Sequence, residues 1–126
     1  MTATVHIVSD SRGATALELV KAAAVQFPKG DVDVRCLAHL EDAAQFSAYA
    51  DRHGLDGDTV VFHTVLDPDL REAVRGVLAA RHTPSVDLLG PAMAMLSQLL
   101  GETPLDIPGL VVDRDFDSVE TEDARA

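Results

Sequence analysis

The sequence predicts an α/β domain of the three-layer Rossmann-like or flavodoxin-like type, with a four-stranded parallel sheet in the order 2-1-3-4. Short apolar or alternating segments occur four times along the chain, and a stretch with helical spacing of apolar residues follows each one. Strands that alternate with helices in this way are joined by right-handed crossovers and lie parallel. Hydrophobic residues make up 47% of the chain and aromatic residues only 4%, which suits a Val, Leu and Ala core with helices on both faces of a sheet.

Two strand–helix units form the first half of the predicted domain. The β-branched run Thr4–Ser9 is the first strand, and apolar residues at helical spacing predict a helix over Ala14–Phe27 that ends at a proline and a glycine. Val32–Leu37 alternates between apolar and polar residues, which indicates a strand with one less buried face. Glu41–His53 is the second helix, and a glycine follows it directly.

Two further units complete the domain. Thr59–Thr64 is a near-continuous apolar run, which indicates a central strand. Asp67 is the expected N-cap of a helix over residues 68–81, because a proline occupies the first helical position. Ser85–Leu88 is a short fourth strand, and Gly90–Leu100 is the last helix.

Length and charge narrow the classes of protein that the chain can belong to. We expect one α/β domain over residues 1–112 and an acidic tail over residues 113–126. The formal net charge of −11 repels nucleic acids and anionic lipid surfaces, so neither is an expected partner. Cys36 is the only cysteine, no apolar run approaches the roughly 20 residues of a membrane helix, and no secretory leader opens the chain. The cytoplasm is therefore the expected compartment.

The loop after the first predicted strand is the strongest candidate for a binding site. In an open parallel sheet, ligands bind beyond the carboxyl ends of the strands. The loop leads into a helix whose free backbone N–H groups attract anions, and its arginine adds a guanidinium that can hold a phosphate or a carboxylate. The predicted anion-binding residues are Ser9, Ser11, Arg12, Gly13 and Thr15. Secondary candidates at the same edge are Asp10, His63, Thr64, Asp87 and Gly90.

A purely structural interpretation of the same loop remains open. Ser11 or Asp10 could accept a hydrogen bond from the first turn of the helix, while Gly13 permits the turn. Asp10 argues against an anion site, because its carboxylate would repel the ligand unless it points into a helix cap.

The sequence motifs give little support for a catalytic site or a metal site. The five histidines do not occur at the close spacings of a zinc site, so no metal is expected. A Ser–His–Asp set could be assembled from Ser9, His63 and Asp87, but the G-x-S-x-G motif that would support it is missing. The chain also contains neither a P-loop motif nor a G-x-G-x-x-G fingerprint. We therefore assign no catalytic residue and no cofactor to this chain.

Several blocks of the sequence resemble a known family, the regulatory proteins of phosphoenolpyruvate synthase and pyruvate, phosphate dikinase. The blocks span roughly residues 5–112 and comprise Ile7-Val8-Ser9-Asp10-Ser11, Gly13, Thr15-Ala16, Gln26-Phe27, Val60-Val61-Phe62, Thr64-Val65, Leu70-Arg71, Val86-Asp87-Leu88-Leu89-Gly90-Pro91, Gly101 and Pro108-Gly109. Arg12 stands where the family loop usually has a threonine.

The resemblance implies that the two domains of the family members have different roles. Its full-length members phosphorylate a threonine of a target enzyme with ADP and remove that phosphate with inorganic phosphate, and both reactions belong to a C-terminal P-loop domain. This chain resembles only the N-terminal domain. The resemblance therefore implies a regulatory or binding role rather than an enzyme in its own right.

Three functions stay open at this point. The first is a regulatory domain that binds a phosphate-bearing small molecule or the target enzyme. The second is a small phosphotransferase or hydrolase that acts at the same loop. The third is a structural dimerisation domain, since the last helix is rich in large apolar residues and predicts a homodimer through Met93, Met95, Leu96, Leu99 and Leu100.

Overall fold

Strands and helices alternate along the whole described chain. The structure is a computed structural model that describes residues 2–110 and Glu122. Its elements are β1 (Thr2–Ser9), α1 (Ala14–Ala24), β2 (Asp31–Leu37), α2 (Ala43–His53), β3 (Val60–Thr64), α3 (Pro68–Ala80), β4 (Ser85–Asp87) and α4 (Gly90–Leu100). The predicted acidic tail, apart from Glu122, lies outside the described residues.

The four strands form one parallel sheet in the order β2-β1-β3-β4, which confirms the predicted fold class. β1 lies between β2 and β3, with Ile7 opposite Cys36 on one side and opposite Phe62 on the other. Among the described residues β4 pairs only with β3, and His63 lies opposite Asp87 in that pair. The carboxyl ends of β1 and β3 are therefore neighbours, at the point where the strand order reverses.

Each face of the sheet has its own apolar core. Ile7 of β1 packs with Ala16 and Val20 of α1 on one face. Val8 belongs to the larger cluster on the other face, which β3, α2 and α3 complete. Successive residues of a strand point to opposite faces, so these two neighbours lie in different cores.

Several element boundaries differ from the prediction by two or three residues. β1 begins at Thr2 rather than Thr4, because Thr2 continues the pairing with β2 opposite Asp31. α1 ends at Ala24 rather than Phe27, since the Phe27 N–H donates to the carbonyl of Ala24 in a tighter turn.

Local hydrogen bonds explain two further differences, at the start of α2 and the end of β4. α2 begins at Ala43 rather than Glu41, because the side chain of Asp42 accepts from the Gln45 N–H and acts as the N-cap. β4 ends at Asp87 rather than Leu88, where the Asp87 carboxylate turns to the following backbone. Within residues 2–110, no helix is long and apolar enough to cross a membrane.

Candidate anion-binding site

A cleft of about 230 Å³ opens at the carboxyl edge of the sheet, over the β1–α1 loop. The end of β3, the β3–α3 loop, the β4–α4 turn and the chain after α4 provide its other walls. Its lining residues are Ser9, Asp10, Ser11, Arg12, Gly13, Ala14, Thr15, Thr64, Leu66, Leu89, Ile107, Gly109 and Leu110. The five predicted anion-binding residues thus line one cleft, together with Asp10 and Thr64.

Helix α1 begins in this cleft without a side-chain cap. Its N-cap is Gly13, which has a φ of 81°, and no side chain of the described residues accepts a hydrogen bond from the first turn. The structural interpretation in which Ser11 or Asp10 caps α1 is therefore wrong. The first-turn residues Ala14 and Thr15 line the cleft, so the partial positive charge of the helix end is available to a ligand there.

Gly13 is also needed for close packing beneath the loop. A Cβ atom at this position would lie 2.9 Å from the Sγ atom of Cys36 and 3.4 Å from Cγ2 of Ile7. The left-handed φ and the short distance both favour glycine. The loop therefore lies directly on the ends of β1 and β2.

The backbone of the loop is tied to the segment that follows β2. The carbonyl of Ser9 accepts from the Leu40 N–H at 3.0 Å, and the carbonyl of Ser11 accepts from the His39 N–H at 2.8 Å. The Ser9 hydroxyl oxygen accepts from the Ser11 N–H at 2.9 Å. These bonds engage two carbonyl oxygens of the loop, which would otherwise be free to oppose an anion.

The carboxylate of Asp10 is engaged by the β3–α3 loop. One oxygen, Oδ2, accepts from the N–H of Leu66 at 2.8 Å and from the N–H of Asp67 at 3.2 Å. Asp10 is 8% exposed, and its Oδ1 atom has no hydrogen-bond partner among the described residues. Asp10 thus acts as a long-range brace between two loops, which partly offsets its negative charge.

Arg12 supplies positive charge at the mouth of the cleft. Its side chain is exposed, and within the described part of the chain no carboxylate lies within ion-pair distance of it. A guanidinium group with no carboxylate partner can donate several hydrogen bonds to a phosphate or carboxylate ligand.

Three secondary candidates do not line the cleft. His63 is 1% exposed, and burial lowers its pKa, with Arg75 and Arg71 acting in the same direction and Asp87 in the opposite one. Asp87 accepts from the N–H of Gly90 at 2.8 Å and lies near both arginines. The buried His63 and Asp87 thus lie close to Arg71 and Arg75 of α3, away from the cleft.

The geometry also excludes the Ser–His–Asp set. Ser9 lies opposite Thr64 in the register of β1 and β3, whereas His63 lies opposite Val8. Because side chains alternate between the faces of a sheet, Ser9 and His63 project from opposite faces. Ser9 therefore cannot use His63 as a general base.

Sequence reasoning missed the apolar part of the cleft. Leu66 and Leu89 come from the loops after β3 and β4, and Ile107, Gly109 and Leu110 come from the chain after α4. The predicted strand ends indicated the edge of the sheet but not which apolar side chains meet there. Gly109 approaches the loop closely, since a Cβ atom there would lie 3.7 Å from the Ser11 hydroxyl oxygen.

The described residues contain no candidate metal-binding site. No group of three or more His, Cys, Asp or Glu side chains in that part of the chain is arranged to hold a metal ion. The cleft is lined by N–H groups, hydroxyls, one guanidinium, the carboxylate of Asp10 and apolar walls.

Comparison with known proteins identifies the family. The sequence model of the family described as kinase/pyrophosphorylase matches residues 5–122. The chain belongs to this family. The match covers every strand and helix except the first residues of β1, and it confirms the family that the sequence blocks resemble.

Curated relatives in the kinase/pyrophosphorylase family are named pyruvate, phosphate dikinase regulatory proteins. The relative from Carboxydothermus hydrogenoformans is 34% identical over 92% of this chain and 43% of its own length. The relative from Sorangium cellulosum is 31% identical over 86% of this chain and 38% of its own length, and the one from Oceanobacillus iheyensis is 32% identical over 89% and 42%. The chain thus spans about two fifths of the length of these relatives.

Proposed function

We propose that this chain is a regulatory domain that binds a phosphate-bearing ligand in the cleft over the β1–α1 loop and does not turn it over. The observation that carries the proposal is the uncapped start of α1 at Gly13, directly beside the exposed guanidinium of Arg12. A helix N-terminus and an arginine together suit an anion with several oxygen acceptors.

The surroundings of the cleft support an anion rather than a cation. Asp10 uses one carboxylate oxygen for two backbone N–H groups, and the carbonyls of Ser9 and Ser11 are also engaged. Hydroxyl groups of Ser11 and Thr15 are available at the rim as donors. The apolar walls favour a ligand that joins the phosphate to a small carbon skeleton.

The family supplies the biological setting of the proposal. Its description is kinase/pyrophosphorylase, and its relatives are named as regulators of pyruvate, phosphate dikinase. We propose that this domain contributes ligand or target recognition to that regulation. The sequence contains no P-loop motif, and the proposal assigns no phosphoryl-transfer step to the residues of the cleft.

The affinity for phosphate tests this proposal. We expect an exposed site without a metal to bind phosphate with a favourable free energy of about 4 kcal/mol, which corresponds to a millimolar dissociation constant. Arg12→Ala should weaken binding about fivefold, because it removes a charge-assisted contact worth about 1 kcal/mol. Amide-shift titrations with inorganic phosphate, ADP and phosphoenolpyruvate at constant ionic strength would measure the effect.

Lys29→Ala is the matched control, since it removes the same charge from an exposed turn before β2, at the opposite edge of the sheet. It should leave the dissociation constants within about twofold of the wild-type values, because exposed charges beyond a Debye length are screened. If both variants weakened phosphate binding equally, the affinity would depend only on the net charge of the chain. The proposed site would then be wrong.

A second function, self-association through α4, is favoured by a separate observation. None of the residues of α4 is buried within the described part of the chain, and Leu99 is 79% exposed. Residues 88–101 contain no charged side chain, although the whole chain carries a net charge of −11. A second copy could therefore approach this face without direct like-charge contacts, so we propose a homodimer with α4 at its interface.

A further inference from the structure

Two loops contribute apolar side chains to the cleft, and one largely buried ionic pair lies behind both of them. Leu66 belongs to the β3–α3 loop and Leu89 to the β4–α4 turn. Neither loop is a regular element, so its position depends on the side chains that satisfy its backbone. The groups that do so are Asp10, Arg71 and Asp87.

The β3–α3 loop is hydrogen-bonded from both sides. Asp10 accepts from the N–H groups of Leu66 and Asp67. Arg71 donates from Nε to the Val65 carbonyl at 3.0 Å and from Nη2 to the Leu66 carbonyl at 3.0 Å. The planar guanidinium thus fixes two successive carbonyls, which a lysine cannot do with the same geometry.

The β4–α4 turn is held by the partner of that arginine. Asp87 Oδ1 accepts from the N–H groups of Leu89 at 3.1 Å and Gly90 at 2.8 Å. Asp87 Oδ2 lies 4.0 Å from Nε of Arg71, and the Asp87 side chain is only 7% exposed. The pair therefore connects the Leu66 wall of the cleft to the Leu89 wall.

The absence of a side chain at Gly90 leaves room for this carboxylate. A Cβ atom on Gly90 would overlap Oδ2 of Asp87. Asp87 and Gly90 were predicted as residues at the edge of the site, and the structure instead places them behind its wall. The nearby guanidinium groups of Arg71 and Arg75 compensate the charge of this buried carboxylate.

We propose that Arg71 is a positioning residue for the ligand cleft, which it does not line, and that Asp87 acts with it to hold the walls at Leu66 and Leu89. The part of this inference that concerns a ligand rests on the proposed function. The part that concerns the loops does not.

The variant Arg71→Lys tests this inference, and Arg75→Ala is its control. Arg75 also lies near Asp87, at 3.8 Å, but is about half exposed, and in the described residues it has no hydrogen bond to the loop carbonyls. Arg71→Lys should raise the hydrogen-exchange rates of the Leu66 and Asp67 amides about tenfold relative to core amides. It should also weaken phosphate binding about threefold, whereas Arg75→Ala should leave both within about twofold.

The two measurements, amide exchange and phosphate affinity, distinguish a failure of the positioning role from a failure of the proposed function. Unchanged exchange at Leu66 and Asp67 in Arg71→Lys would overturn the positioning role, and so would faster exchange with unchanged phosphate affinity. A uniform rise over the core amides would show a merely structural role and would also overturn it. If the wild-type chain binds no phosphate, the proposed function fails, and the exchange arm alone then decides whether Arg71 holds the loop. Arg71→Gln provides the same test if Arg71→Lys does not fold.

Discussion

Gly13 is the residue on which the cleft depends most directly. Its φ of 81° is costly for a residue with a side chain, and a Cβ atom would lie 2.9 Å from the sulfur of Cys36. We predict that Gly13→Ala lowers the free energy of unfolding by about 1–2 kcal/mol, since both the conformation and the contact become unfavourable.

Gly76 is the control for this substitution. It lies on the exposed face of α3, and a Cβ atom there would meet nothing within 4 Å. Gly76→Ala should raise the free energy of unfolding by about 0.5–1 kcal/mol, because alanine is the better helix former. Urea denaturation of both variants should give opposite signs, and a neutral Gly13→Ala would contradict the account of the loop.

Two buried histidines make the stability depend on pH. Burial is the largest cause that lowers the pKa of both His6 and His63. The folded state then binds fewer protons than the unfolded state, in which histidine titrates near pH 6.5. The contribution of these residues is therefore complete above that pH and is lost progressively as the pH falls below it.

We predict a lower free energy of unfolding at pH 5.5 than at pH 7.5, measured by urea denaturation. His63→Gln should reduce the difference between the two pH values, because one of the two buried titrating groups is removed. A stability that rises on acidification over this range would be inconsistent with both pKa directions.

At the scale of the elements, the helix starts show how far local sequence can be interpreted. Asp67 was predicted as the N-cap of α3, and its carboxylate accepts from the N–H groups of Asp69 and Leu70. The uncapped start of α1 was not predictable in the same way, because Asp10 accepts from the N–H of Leu66, 56 positions away, and not from the first turn of α1. Short polar side chains indicate that a cap is present, but not which loop they serve.

The brace formed by Asp10 gives an element-scale prediction. Asp10→Ala should lower the free energy of unfolding by about 1–3 kcal/mol, because the N–H groups of Leu66 and Asp67 lose a shared acceptor. Asp10→Asn should retain most of the stability, since its amide oxygen can still accept. Asp58→Ala, in an exposed turn, is the charge-matched control and should have little effect. Equal urea midpoints for Asp10→Ala and Asp58→Ala would show that the brace is unimportant.

The sheet could be predicted more completely than the site. Strand identity and parallel pairing follow from the alternation of strand and helix patterns, and the apolar character of the first and third strands favoured the order 2-1-3-4. The polar loop of the cleft could be predicted because it directly follows a strand. Leu66, Leu89 and Ile107 could not be assigned to the cleft, because they reach it through contacts between distant parts of the chain.

At the scale of the whole molecule, the exposed apolar face of α4 leads to a prediction of self-association. Wild-type protein should give a mass near twice 13.4 kDa in light scattering at micromolar concentration. Leu99→Glu should return the mass to that of the monomer, because it places a charge on the exposed apolar face while removing no buried side chain. Val25→Glu, at a similarly exposed apolar residue after α1, should leave the mass of the dimer unchanged. A wild-type mass of one chain would contradict the interface.

The location of phosphate-induced amide shifts on the wild-type chain tests the central claim most directly. The account predicts that the largest shifts fall within residues 11–15, at the uncapped start of α1, with smaller ones at Thr64 and Leu66 across the cleft. Shifts that saturate at millimolar phosphate and cluster in this loop would support an anion site. Shifts that are spread over the surface, or that cluster around another helix start while residues 11–15 stay unchanged, would contradict it.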